Sequence, residues 1–154
     1  MATKRIAIAS DHAGYPLKQV LSEELRNAGY DVLDLGTDNT GSVDYPDFAT
    51  AMAEALSDGR VERGVLVCGT GIGISIAANR YPWVRAALCH DVTTARLCRE
   101  HNDANVMALG ARIVGDEVAK HCLAAFLETE FGGDRHARRV GKLDQPKPVS
   151  APGA

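Results

Sequence analysis

Short apolar runs rich in β-branched residues alternate along this chain with longer stretches whose apolar positions recur every three or four residues. That is the pattern of repeated βα units around a parallel sheet. The first run is Arg5 to Ser10. Gly14 to Ala28 follows, with Leu17, Val20, Leu21 and Leu25 on one helical stripe ended by Gly29. Tyr30 to Leu35 reads as a second strand. The polar loop Gly36 to Asp44 leads to Tyr45 and Pro46, where the proline is placed to start a helix reaching Ser57. Gly64 to Cys68 is apolar throughout and is expected at the centre of the sheet. The glycine-rich break Gly69 to Gly73 opens a helix toward Arg80. Val84 to Cys89, Val92 to Glu100, Val106 to Leu109 and Glu117 to Glu130 then read as strand, helix, strand and helix. Gly132 and Gly133 precede a last short helix, Asp134 to Leu143.

Five strands with interleaved helices predict an α/β fold, a single-domain, doubly wound, Rossmann-like parallel sheet with a C-terminal helix, most simply in strand order 2-1-3-4-5. A chain of 154 residues fits one domain, expected over residues 1–143. The tail 144–154 holds three prolines among small residues and reads as flexible. Hydrophobic residues at 45% and charged residues at 24% match globular averages, which excludes a disordered or fibrous chain.

A net charge of -3 gives no global attraction to nucleic acid or an anionic membrane, and aromatics at 5% leave no stacking surface for bases. Trp83, beside Pro82, reads as a packed edge residue. The apolar run Ile6 to Ala9 is broken by Asp11 and His12, too early for a signal peptide or a membrane span. Cys68, Cys89, Cys98 and Cys122 stand at irregular intervals with no Cys-x-x-Cys, which suits reduced thiols in the cytosol. The five histidines form no His-x-x-x-His pair, so no metal site is expected.

Candidate chemistry gathers where the strand order reverses, because ligands of such sheets bind outside the carboxyl ends of the strands at that point. This sets Ser10-Asp11-His12-Ala13-Gly14 beside Cys68-Gly69-Thr70-Gly71-Ile72-Gly73. Three glycines in five residues let backbone N–H groups face a ligand, and the following helix adds its positive dipole end. No lysine follows them, so the loop is not a P-loop, and the spacing is not that of a dinucleotide fingerprint. Taken alone, it reads equally well as a tight structural turn. Cys68 sharpens the reading, since a cysteine beside helix-start N–H groups becomes a thiolate more readily and can serve as base or nucleophile. The other three cysteines read as small buried hydrophobes. Arg135 and Arg139, four apart on a helix, share a face suited to gripping a phosphate; the plainer reading is a solvated basic face. Cradle and arginines together favour a small phosphorylated substrate.

Six ordered motifs now stand out: Asp11-His12-Ala-Gly, Asp44-Tyr45-Pro46, Cys68-Gly-Thr-Gly-Ile-Gly-Ile-Ser-Ile-Ala-Ala-Asn79, His101-Asn102-Asp-Ala-Asn105-Val, Gly110-Ala-Arg112 and Arg135-His-Ala-Arg-Arg139. Together, from Arg5 to Val140, they resemble the type B ribose-5-phosphate isomerases of the ribose/galactose isomerase family. The resemblance implies an aldose–ketose isomerase with Cys68 as proton acceptor and His101 as the acid that opens the sugar ring. Thr70 and the loop N–H groups would stabilise the enediolate. Asp11, His12, Asp44, Tyr45, Gly69, Gly71, Ile72, Gly73, Asn102, Arg112, Arg135 and Arg139 would bind the sugar phosphate, the arginines chiefly at its phosphate. It further implies no metal and no cofactor, and a homodimer or tetramer.

Topology adds an expectation of its own. His101 and Asn102 follow the fourth helix and precede the fifth strand, which puts them at the edge of the sheet opposite Cys68. The active site is therefore expected to be shared, with Cys68 and Asp11 from one protomer and His101, Arg135 and Arg139 from its partner. Two other readings stay open: isomerisation of a six-carbon sugar phosphate, such as galactose 6-phosphate or allose 6-phosphate, and a non-catalytic anion-binding module.

Overall fold

The computed structural model describes residues 4–153; Met1 to Thr3 of the expected domain and Ala154 of the expected tail lie outside the described residues. Five parallel strands form one sheet: β1 (Arg5–Ser10), β2 (Asp31–Asp34), β3 (Gly64–Cys68), β4 (Ala86–Leu88) and β5 (Val106–Gly110). Between and after them run α1 (Tyr15–Asn27), α2 (Tyr45–Ser57), α3 (Ile72–Ala78), α4 (Val92–Glu100), α5 (Asp116–Glu128) and α6 (Arg135–Asp144). Successive strand residues face opposite sides of a sheet. Ile6, Ile8, Val65, Val67, Met107 and Leu109 accordingly pack with α1, α4 and α5, while Ala7, Ala9, Leu66, Cys68, Val106 and Ala108 pack with α2 and α3. Cys89, Cys98 and Cys122 are buried in the first of these layers, as small apolar side chains. Among the described residues no helix is long and apolar enough to cross a membrane.

The strand order is β2-β1-β3-β5-β4, which corrects the expected 2-1-3-4-5. Burial explains it. Every residue of β5 is buried, which takes a neighbour on each side, whereas β4 is short and exposes Leu88, as an edge strand can. The right-handed crossover rule then decides the layers. The chain steps outward from β3 to β4, putting α3 with α2, and steps back to β5, putting α4 on the opposite face with α1 and α5. Beyond the edge, Asn79 stands in for a further strand, its side chain bonding both the N–H and the carbonyl of Ala86.

Candidate active site

At the carboxyl end of β1, Asp11 is buried and its Oδ1 accepts the Gly14 N–H at 3.0 Å. Asp11 N–H in turn donates to the Val67 carbonyl at 3.2 Å. A β-carbon on Gly14 would collide with that same carbonyl, so glycine is what lets this turn lie directly against β3. His12 Nδ1 accepts the Val43 N–H at 3.2 Å, which leaves the proton of the neutral ring on Nε2 as a free donor. The loop before α2 thus folds over His12 and brings Asp44 and Tyr45 to the same end of the sheet. Tyr45 lies against Gly73, where an added β-carbon would sit 2.6 Å from the ring.

Cys68 ends β3 and is only 4% exposed. Its sulfur accepts the Gly71 N–H at 3.1 Å, a bond made possible by the left-handed φ of 76° at Gly71. Thr70 Oγ1 accepts the Ile72 N–H at 3.2 Å, so the Thr70 hydroxyl proton is free to be donated elsewhere. The loop is fastened to β5: Ala111 N–H donates to the Cys68 carbonyl and Arg112 N–H to the Gly69 carbonyl, both at 2.9 Å. Gly110 has room for no side chain beneath Thr70, and the Arg112 guanidinium lies over Gly69, 3.1 Å from where a β-carbon would be. One cluster at the carboxyl ends of β1, β3 and β5 therefore holds Asp11, His12, Asp44, Tyr45, Cys68, Gly69, Thr70, Gly71, Ile72, Gly73 and Arg112.

The remaining expected residues lie elsewhere. His101 follows α4, which returns from the carboxyl end of β4 to the amino end of β5. Just beyond it, the Asn105 carbonyl accepts the N–H of Gly64, the first residue of β3. His101 is thus at the amino edge and Cys68 at the carboxyl edge, a strand length of about 13 Å apart at least. The exchanged positions of β4 and β5 leave this unchanged, because α4 runs against the strands in either order. The Gly132 N–H bonds the Glu100 carbonyl at 2.9 Å and so fixes the start of α6 beside His101. There the His101 and His136 rings stack at 4.4 Å, with 12° between their planes. Burial, then the neighbouring Arg135, His101 and Arg139, hold His136 below the usual histidine range, opposed by Glu100. Asn102, Arg135 and Arg139 are exposed at this second cluster.

Sequence reasoning assigned no part to Gly14, Val43 or Gly110, which respectively seat the first turn, orient His12 and admit the Cys68 loop. Gly14 and Gly110 stood inside the quoted motifs, and glycine at a strand end was the available signal. Val43 carried none. Among the described residues, no group of three or more His, Cys, Asp or Glu side chains is arranged to hold a metal ion.

Comparison with known proteins adds to this geometry. The sequence profile of the ribose/galactose isomerase family matches residues 6–143. The chain is 44% identical over 137 residues to ribose-5-phosphate isomerase B of Escherichia coli K12, covering 89% of this chain and 92% of that protein. It is 45% identical over 139 residues to D-erythrulose-4-phosphate isomerase of Pectobacterium atrosepticum, covering 90% and 91%. The solved structure of Clostridium thermocellum ribose-5-phosphate isomerase B superposes with a TM-score of 0.90 at 51% identity, covering 92% of this chain and 95% of that one.

Proposed function

Because this chain belongs to the ribose/galactose isomerase family and is an isomerase, we propose that it interconverts ribose 5-phosphate and ribulose 5-phosphate, with Cys68 as the base. The observation that carries this reading is the Cys68 sulfur, held by the Gly71 amide where the β1 and β3 turns meet, with Asp11, Thr70 and Arg112 around it. Aldose and ketose differ by a proton on one of two adjacent carbons, so one base on one face serves both transfers. Cys68 takes the proton from C2 of the open-chain aldose and returns it to C1, while the hydroxyl proton passes from O2 to O1. Between the two transfers negative charge sits on the enediolate oxygens, to which the Thr70 hydroxyl, accepting only the Ile72 N–H, would donate its proton; a preorganised donor of this kind is worth about 3 kcal/mol of barrier.

Ribose 5-phosphate is mostly a closed ring, so an acid must first protonate the ring oxygen as the bond between it and C1 breaks, the C1 hydroxyl giving up its proton to water as the aldehyde forms. His101 suits that step near neutral pH. An acid has to stand within hydrogen-bond reach of its target, about 3 Å, which no single protomer offers to one substrate at Cys68. We therefore read the working unit as a homodimer in which His101, Asn102, Arg135 and Arg139 of one protomer complete the cluster of the other. Arg112 and the His12 Nε2–H would meet the phosphate from the near side and the two α6 arginines from the far side. Ile72 and Ile76, 50% and 59% exposed beside the Cys68 loop, with Leu88 and Val92 nearby, give a second copy an apolar surface to cover.

The test is turnover of ribose 5-phosphate by the wild type and by Cys68→Ala. Galactose 6-phosphate, allose 6-phosphate and D-erythrulose 4-phosphate are run in parallel, the last because one relative is named for it. Pentose turnover abolished in the variant is the expected result. Turnover of a four- or six-carbon substrate alone would keep the chemistry and change the substrate, and phosphate binding that survives Cys68→Ala with no turnover in either protein would favour an anion-binding module.

A further inference from the structure

The loop from His101 to Asn105 is held by a clamp of residues to which the proposed chemistry assigns no direct part. Asp103 adopts a left-handed backbone, φ 47°, one residue beyond Asn102. Aspartate tolerates that region better than most residues, though still at some cost. Its carboxylate is gripped from two sides, by Arg99 Nη1 donating to Oδ1 at 2.9 Å and by Arg85 Nη2 donating to Oδ2 at 3.4 Å. The same two arginines hold the backbone: Arg85 Nε donates to the Asp103 carbonyl at 3.0 Å and Arg99 Nη1 to the Ala104 carbonyl at 2.7 Å. Asn105 continues the pattern by accepting the Arg85 N–H and donating to the Trp83 carbonyl. Arg99 is almost wholly buried, so its charge needs this carboxylate and these carbonyls around it.

The polar side chains of the loop therefore divide. The side chains of Asp103 and Asn105 bond inward, while those of His101 and Asn102 make no hydrogen bond to the described residues, His101 Nε2 lying 3.8 Å from Glu100 Oε1. Arg85 reaches further still, its Nη1 donating to Asp144 Oδ1 at 2.8 Å at the end of α6, the helix of Arg135 and Arg139. One arginine thus ties the loop and the helix to each other.

We propose that Asp103, clamped by Arg85 and Arg99, is a positioning residue that fixes the turn presenting His101 to the substrate at the partner's Cys68. The inference rests on the reading of His101 as the ring-opening acid. A displacement of about 1 Å at a reacting group costs on the order of a hundredfold in rate, so a loosened turn shows first in kcat.

The experiment is a double-mutant cycle on ribose 5-phosphate turnover: wild type, Asp103→Ala, His101→Ala and the double variant, with the urea midpoint of each. Asp103→Ala is expected to lower kcat about tenfold to a hundredfold, and Asp103→Asn, which keeps the left-handed tolerance and the Arg99 bond, by less. In the His101→Ala background Asp103→Ala lowers kcat by no more than about twofold, because the group it positions is gone; a KM change through Asn102 persists in both backgrounds. An Asp103→Ala effect of equal size in the two backgrounds, or none in either, overturns the proposal while a large loss in His101→Ala alone upholds the acid. Full activity of His101→Ala overturns that reading and this one together. If Asp103→Ala does not fold, Asp103→Asn carries the cycle with the same two outcomes.

Discussion

An alanine at Gly71 separates what the Cys68 loop gains from its backbone from what it gains by lying against β5. A left-handed φ of 76° costs a residue with a β-carbon about 1–2 kcal/mol. The added carbon would also lie 2.6 Å from Leu88 Cδ1 and 2.8 Å from the carbonyl carbon of Leu109. Leu88 sits on an open edge and can turn aside, but the Leu109 backbone is inside the sheet and cannot. The loop must retreat by at least about 0.6 Å to recover ordinary contact, an overpacking of the kind that costs about 1–3 kcal/mol. Gly59 supplies the control, with φ 78° and no atom within 4 Å of an added carbon. Gly59→Ala should lose only the backbone part, about 1–2 kcal/mol, and Gly71→Ala about 2–5 kcal/mol, both read from urea unfolding. Because the retreat draws the amide off the Cys68 sulfur, Gly71→Ala should also lower kcat about tenfold or more, with Gly59→Ala within about twofold of wild type. Equal stability losses in the two variants, with kcat of Gly71→Ala intact, would refute the reasoning.

Two further outcomes follow from buried charge and from histidine. Lys18 is almost wholly buried and donates to both Asp34 oxygens at 2.6 and 2.7 Å; Asp34→Ala strands the ammonium and should cost about 3–5 kcal/mol, whereas Lys18→Met leaves a carboxylate that water reaches and should cost distinctly less, both measured by urea unfolding. His136 titrates below its unfolded value of 6.5, so as pH falls through 6.5 the unfolded chain gains a proton the folded chain refuses. Stability should therefore decline from about pH 7 downward until the lower folded value is reached, and His136→Gln should flatten that part of the urea-midpoint profile.

Much of this molecule was legible in its sequence where the signal was local. The strands Arg5–Ser10 and Gly64–Cys68 and the switch point between them follow from apolar runs and glycine punctuation, and the structure has them at those residues. The opposition of Cys68 and His101 follows from element order alone. The neighbours of β5 did not, because pairing is a long-range property and the clue, burial on both faces of β5 against exposure of β4, lies in contrasting the two strands. The expected strand Val84–Cys89 shortens to Ala86–Leu88, and at its start the Arg85 N–H is taken by the Asn105 side chain instead of a neighbouring strand. The clamp on Asp103 was equally hidden, since Arg85 and Arg99 meet it only after the sheet has folded.

The central claim, a site built from two protomers, is tested most directly by mixing Cys68→Ala protein, expected to be inactive, and His101→Ala protein, expected to be severely impaired, under conditions of subunit exchange. Each mixed dimer would carry one intact site and one with both lesions, so an equal mixture should recover about a quarter of wild-type turnover of ribose 5-phosphate. Verified mixed dimers with no recovered activity would contradict it.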